Sequence, residues 1–441
     1  MNGAHLSWLG IVRLGLVQSA LGAIIVLTTS TLNRVMVVEY ALPAMLPAAL
    51  VAWHYAIQLS RPRWGYGSDM GHRRTPWIIG GMGVLALGGV LATDATLLMA
   101  SSPVLGILLG ILAFTMIGAG VGASGTSLLA LLATRTAPER RPAAAATTWI
   151  MMIVGIVITA GVAGALLDPF SPQRLAFVAT GVAGAAFLVT LIAVWGVERE
   201  PERQPEGQEQ KPPFAQVLRE IWAEPLARRF TIFVFVSMMA YSAQDLILEP
   251  FAGLIFGMTP GQSTQLAGVQ HGGVLLGMIL VGVCGARLGD KKRAWMRQWT
   301  IAGCVGSALA LAALACAALV GPAWPLQPTV FVLGFANGVF AVSAIGSMMG
   351  LAGQGRSSRE GVRMGVWGAA QAIAFACGGF AGAAGVDALR ALLSETSSAF
   401  LIVFALEAAL FLVAAVLAAR LDLIGARAPR GADAALEGVR S

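Results

Sequence analysis

An all-α membrane protein, with twelve transmembrane helices arranged as two related six-helix halves, is the fold class this sequence predicts. Three observations carry that expectation. Of the 441 residues, 57 % are hydrophobic and only 12 % charged, where a soluble protein carries about 25 % charged residues. The chain also breaks into twelve apolar runs, each near the ~20 residues needed to cross ~30 Å of hydrocarbon. Finally, stretches of the first half reappear in the second at an offset of about 211 to 220 residues.

The runs fall at roughly 14–33, 42–60, 76–94, 104–133, 143–167, 174–197, 229–251, 265–286, 298–320, 328–352, 364–387 and 398–419. The fourth is longer than one crossing needs, so it is expected to tilt or to project beyond the bilayer. Loops after runs 2, 4, 8 and 10 hold fifteen basic residues, from Arg61 and Arg63 to Arg359 and Arg363, whereas the six opposite loops hold three, Arg34, Arg174 and Arg390. By the positive-inside rule both termini and the central loop are expected to be cytoplasmic. The chain then divides into an N-terminal half (1–197), a cytoplasmic linker (198–228), a C-terminal half (229–420) and a cytoplasmic tail (421–441). Within the linker Phe214, Val217, Leu218, Ile221 and Trp222 recur with helical spacing. That is the stripe of an amphipathic helix lying along the interface and joining the halves. The start, MNGAHLSWLGIVRLGL, lacks the basic region, short apolar stretch and cleavage site of a signal peptide, so the first apolar segment is expected to be retained.

The repeat is visible in particular stretches. TSTLNRVMVVE (29–39) parallels YSAQDLILE (241–249), FTMIGAGVG (114–122) parallels FVLGFANGV (331–339), and the interval from Trp149 to Asp168 resembles that from Trp367 to Asp387. A duplicated six-helix unit with a long connecting loop is the plan of the major facilitator superfamily, whose halves are related by an axis along the membrane normal.

Several classes are excluded. The net charge of +7 is spread over short loops and forms no patch for nucleic acid. Cys284, Cys304, Cys316 and Cys377 lie in apolar spans without a Cys-x-x-Cys or clustered histidines, which supports neither disulfides nor a bound metal. Gly120, Gly122 and Gly125 spell G-x-G-x-x-G, but no strand precedes them, and close helix packing accounts for them better. With no phosphate loop, metalloprotease motif or nucleophile elbow, no catalytic residue is assigned and an enzyme is not expected.

The polar residues inside spans are the candidate site. Asp245 and Glu249, four apart, share a helix face in the seventh run. At the matching place in the first run stands Arg34, preceded by Asn33 as Asp245 is preceded by Gln244. An Arg34–Asp245 ion pair across the central cleft is expected, because each charge alone is costly in hydrocarbon. Such a pair would either mark a ligand or proton path or merely hold the halves together. His54, His271, Asn337 and Gln371 are further cleft candidates, with Gln18, Gln270 and Glu407 also intramembrane; Glu407 is the odd one, since the twelfth helix is peripheral in this architecture. In the loop after the second run, Gly65, Asp69, Arg73 and Arg74 match a facilitator-type signature, and Asp290 stands in the counterpart loop. An Asp beside a helix N-terminus with nearby arginines can latch one half to the other.

TLNRVMVVE (31–39), GYGSDMGHRRTPWI (65–78), GAGVGASGTSLLALLATRTAPERRP (118–142), AQDLILEPFAG (243–253) and MGVWGAAQAIA (364–374) together resemble the PucC and LhaA group, the bacteriochlorophyll-delivery branch of the facilitator superfamily. The resemblance spans about residues 10 to 420 and maps the group's motif onto Asn33, Arg34, Gly65, Asp69, Arg73, Arg74, Gln244, Asp245, Glu249 and Pro250. It implies an assembly factor in the intracytoplasmic, photosynthetic inner membrane of a bacterium. Such a factor binds or hands over bacteriochlorophyll, or a precursor, as cargo while light-harvesting or reaction-centre polypeptides are inserted, with bacteriochlorophyll synthase as a further partner. The pigment's magnesium would be ligated by a histidine or a water-bridged polar group, with its carbonyl oxygens near Arg34. The alternative is a proton-coupled secondary transporter of a small or amphiphilic solute, in which Asp245 and Glu249 titrate.

Overall fold

The computed structural model describes residues 6–61, 64, 73–137, 140–198, 225–285, 292–352, 360–393 and 395–420. Every regular element among them is helical. The first half comprises α1 (Trp8–Glu39), α2 (Met45–Gln58), α3 (Thr75–Met99), α4 (Pro103–Arg135), α5 (Arg141–Leu167) and α6 (Pro172–Val194). The second comprises α7 (Pro225–Phe256), α8 (Pro260–Gly285), α9 (Lys292–Val320), α10 (Leu326–Ala352), α11 (Glu360–Leu393) and α12 (Thr396–Arg420). Eleven of these are long and apolar enough to cross a membrane; α2, at 14 residues, is the short one. Helix α7 already begins at Pro225, inside the stretch assigned to the linker. The amphipathic stripe at 214–222 and the tail lie outside the described residues.

Why helices begin and end where they do is legible locally. Proline occupies the first turn of α3, α4, α5 and α6, where its missing N–H costs nothing. Ser7 and Ser171 cap α1 and α6 by accepting from Gly10 N at 3.2 Å and Arg174 N at 3.1 Å. Glu198 does the same for α3 from the far end of the first half. Its carboxylate accepts from the backbone N–H of Arg74 and Thr75, both at 2.9 Å, and from the Thr75 hydroxyl. A carboxylate there also complements the positive end of the helix. At the opposite kind of terminus, the Arg13 guanidinium donates to the carbonyls of Ile192 and Trp195 at the end of α6.

Packing repeats between the halves. Helix α1 packs on α5 and α6, α2 on α4, and α3 on α4 and α6; equivalently α7 packs on α11 and α12, α8 on α10, and α9 on α10 and α12. Across the molecule α5 meets α8 and α11 meets α2, again related by the exchange of halves. Large side chains such as Leu105, Leu108, Phe177, Ile192 and Leu309 are turned outward, which suits a surface wetted by lipid. Inside, aromatic rings interlock: Phe251 of α7 lies 5.1 Å from Phe400 and 5.0 Å from Phe404 of α12. Such pairs contribute roughly 0.5–1.5 kcal/mol each beyond area burial.

At one end of the bundle, here termed the outer end, the halves are pinned twice. Asp168, closing α5, accepts from the Thr259 hydroxyl at the start of α8 at 2.9 Å. Asp387 of α11 accepts from the backbone N–H of Met45 at the start of α2 at 2.7 Å. Each half thus sends a carboxylate from its fifth helix to the N-terminus of the other half's second helix, where the helix dipole favours a negative charge. The α5–α8 crossing is so close that a Cβ on Gly261 would stand 2.4 Å from the Gly164 carbonyl oxygen.

Candidate functional site

Helix α1 is not regular throughout. Leu27–Thr31 and Val35–Glu39 are wound as π-helix, the Leu32 N–H reaching back to Leu27 O and the Tyr40 N–H to Val35 O. These bulges flank Leu32–Arg34, and such insertions gather at functional sites. They also change which residues share a face. In an α-helix residues five apart point 140° from one another, whereas i→i+5 winding brings them together. Arg34 accordingly pairs with Glu39 of its own helix.

The Arg34–Asp245 ion pair expected from the sequence is therefore not formed. Arg34 is buried, donates to Glu39 and to the Met258 carbonyl beyond α7, and acts electrostatically on Glu249. Helix α7 accommodates it at Gly253, where a Cβ would come within 3.2 Å of its Nη2 and 2.9 Å of Val38. Glu249 accepts from Ser263 Oγ of α8 at 3.2 Å with Ser30 of α1 beside it, and Thr31 meets Thr264 hydroxyl to hydroxyl at 3.0 Å.

Asn33 has a specific task. A proline at position 250 has no N–H, so the carbonyl four residues earlier in α7, that of Leu246, loses its helical donor. Asn33 Nδ2 donates to that oxygen across the gap between halves at 2.7 Å. In hydrocarbon an unpaired carbonyl is expensive, and the Asn of one motif meets the need created by the Pro of the other.

Asp245 instead lines a central cavity of about 110 Å³, with Thr29 and Ser30 of α1, Tyr55 of α2, Ser242 of α7 and Gln270 and His271 of α8. The Gln270 side chain stands beside it on the cavity wall. Tyr55 was not singled out by sequence reasoning, since a lone tyrosine in an apolar span carries no signal of where it points. His271 bonds the Ala267 carbonyl through Nδ1 at 2.9 Å.

The other candidates lie elsewhere. His54 is saturated: Nδ1 faces the Val51 carbonyl at 2.9 Å, so Nε2 is left to accept from Gln58 at 2.7 Å and offers no lone pair to a metal. Asn337 accepts from Ser307 at 2.7 Å within the second half, and Gln244 is wholly buried there; neither faces the cavity. Gln371 approaches the Met238 sulfur at 3.7 Å. Of the latch residues, Gly65, Asp69 and Asp290 lie outside the described residues. Arg73 is exposed, and the Arg74 guanidinium bonds Ala130 O and Thr134 Oγ1 of α4 at 3.1 and 2.6 Å, within its own half.

A second concavity opens on the side of the molecule between α3 and α4. It measures about 380 Å³ and is walled by Trp64, Trp77, Pro76, Val84 and the backbone of Gly80 and Gly120. The two indoles stand edge to face, 6.3 Å between centroids. No side chain approaches the Cβ position of Gly80 within 4 Å.

Twelve helices in two pseudo-symmetric halves around a small polar cavity define a membrane protein of the facilitator fold. Solved structures agree on that fold: a nucleoside transporter, NupG, superposes with a TM-score of 0.69 at 13 % identity over 93 % of this chain and 99 % of its own. A POT family transporter in complex with a thioalcohol-conjugated peptide gives 0.68 at 11 % identity, covering 93 % and 96 %. At such identities the likeness speaks for the fold alone. The PUCC protein family model matches residues 31–425, and the chain belongs to that family. Among its relatives are a protein named bacteriochlorophyll synthase 44.5 kDa chain from Rhodobacter capsulatus, 53 % identical over 97 % of both chains, and Protein PucC from the same organism, 31 % identical over 95 % of this chain and 93 % of its own.

Proposed function

We propose that this protein is a bacteriochlorophyll-binding assembly factor of the photosynthetic inner membrane, serving light-harvesting or reaction-centre polypeptides and working beside the enzyme that completes the pigment. Family membership and the relative named as a bacteriochlorophyll synthase chain support the pigment. The observation that carries the reading to a place in the molecule is the lateral groove. Sites for molecules of drug size and above span about 300–1,000 Å³; the groove reaches that range and the central cavity does not. Its walls are almost wholly apolar and include the outward-turned Val84, which supports entry of an amphiphile from lipid. Among the described residues the groove offers a macrocycle the apolar rings of Trp64 and Trp77, while His54, which does not line it, is already bonded through both ring nitrogens. The described walls of the groove form a shaped apolar surface, which supports a carrier.

Purification of the full chain from a phototrophic host in mild detergent, followed by absorption spectroscopy, tests this. Gly80→Leu projects into open groove and should abolish co-purifying pigment without loss of folded protein. Full retention of pigment by Gly80→Leu and by Trp64→Ala would overturn the placement, and absence of pigment from the unaltered protein would overturn the function. The rival reading, a proton-coupled transporter, uses the central cavity. It requires solute uptake driven by a pH gradient and lost in Asp245→Asn.

A further inference from the structure

Glu407 of α12 is 5 % exposed, and neither carboxyl oxygen has a hydrogen-bond partner. Its place in the bundle follows from the aromatic seam. Phe251 of α7 packs against Phe400 and Phe404 of α12, tilted to the first and edge to face with the second, and the helices run antiparallel. Two turns back along α7 and two turns on along α12 therefore set Gln244 and Asp245 level with Glu407. At that level Glu407 is near enough to feel the charge of Asp245. At the same level Gln244, wholly buried, has neither amide atom bonded, and the Asn337 amide nitrogen is likewise unbonded.

Among the described residues no cation pairs with either carboxyl group. Helix α9 carries no charged residue from Gln298 to Val320, α10 none from Leu326 to Ala352, and α11 none from Met364 to Val386. The titratable groups facing the pair are Tyr241 of α7, Tyr55 of α2 and His271 of α8 on the cavity side. Cys304 of α9 is buried in the same half, Arg61 acts on Tyr55, and Glu249 is held by Ser263 one turn along α7. Two carboxylates at one level of a poorly polarisable interior, with no described counter-charge, oppose each other's ionisation.

We propose that Asp245 and Glu407 form one proton-binding carboxyl pair, in which Asp245 exchanges the proton with the central cavity and Glu407 stores it inside the second half. Only O–H bonds are made and broken: a proton passes to water in the cavity, and the pair becomes one unit more negative. The site is separate from the lateral groove and holds whether or not the groove carries a pigment.

Infrared titration of protonated carboxyl groups in the purified full chain, taken as differences between variants, tests it. The unaltered protein should lose these two carboxyl signals in two coupled steps. Asp245→Asn and Glu407→Gln should each leave a single step, lying about one pH unit or more below the upper step of the pair. His271→Gln should keep both steps. A Glu407→Gln protein whose Asp245 signal titrates as before would overturn the proposal, even if its thermal stability fell, since that is what a merely structural role predicts. Should Glu407→Gln not fold, Asp245→Asn gives the same comparison from the other side: Glu407 titrating unaltered overturns the pair.

Discussion

The Asn33–Leu246 hydrogen bond is the clearest single-residue statement in the molecule, because its partner is defined by an absence in the backbone. Removing the donor with Asn33→Ala strands a buried carbonyl and should cost about 1–3 kcal/mol. Pro250→Ala restores an N–H to that carbonyl from within α7, so in that background the same Asn33→Ala change should cost much less. Thermal unfolding of the four proteins in detergent gives the cycle, and additive losses would show that Asn33 has another task. Both residues stand out in the sequence as members of two short motifs, yet their pairing is not legible there, because it arises from a backbone carbonyl that a proline leaves without a donor. The charges beside them, Arg34 and Asp245, belong to matching helices but do not meet: Arg34 pairs with Glu39, and Asp245 lines the central cavity.

At the scale of elements, the twelve helices were legible because hydropathy and length carry spans directly, and their ends because proline and serine mark first turns. The π-bulges of α1 left no such trace. An inserted residue alters register without altering composition, so Glu39, five residues from Arg34, could not be picked as its partner. The burial of Glu407 is likewise not legible in the sequence: α12 is peripheral as an element, yet one of its faces packs on α7. A further expectation belongs to helix crossings. Gly261→Val meets the Gly164 carbonyl and the Asp168 carboxyl, both within 2.6 Å of the new Cβ. It should separate α5 from α8 and sharply lower the yield of folded protein, whereas Gly80→Leu, facing open space, should leave it near that of the unaltered protein. Size-exclusion profiles of the two variants decide this.

For the whole molecule, the two outer pins are expected to hold the outer end closed over the central cavity. Replacing Asp168 and Asp387 together by alanine should raise the reactivity of a cysteine placed at Thr29 toward a membrane-impermeant thiol reagent, in a protein whose four native cysteines have been replaced. Either change alone should act less, because the other corner still holds. Unchanged reactivity of the double variant would mean that the α1–α7 contacts around Arg34 suffice for closure. The pins also set the rim apart from the interior. Asp168 and Asp387 hold equivalent places in the two halves and fasten equivalent corners, one carboxylate to each. Deeper in the bundle that equivalence lapses: α1 carries Arg34 paired with Glu39, whereas α7 carries Asp245 at the cavity and Glu249 against Ser263.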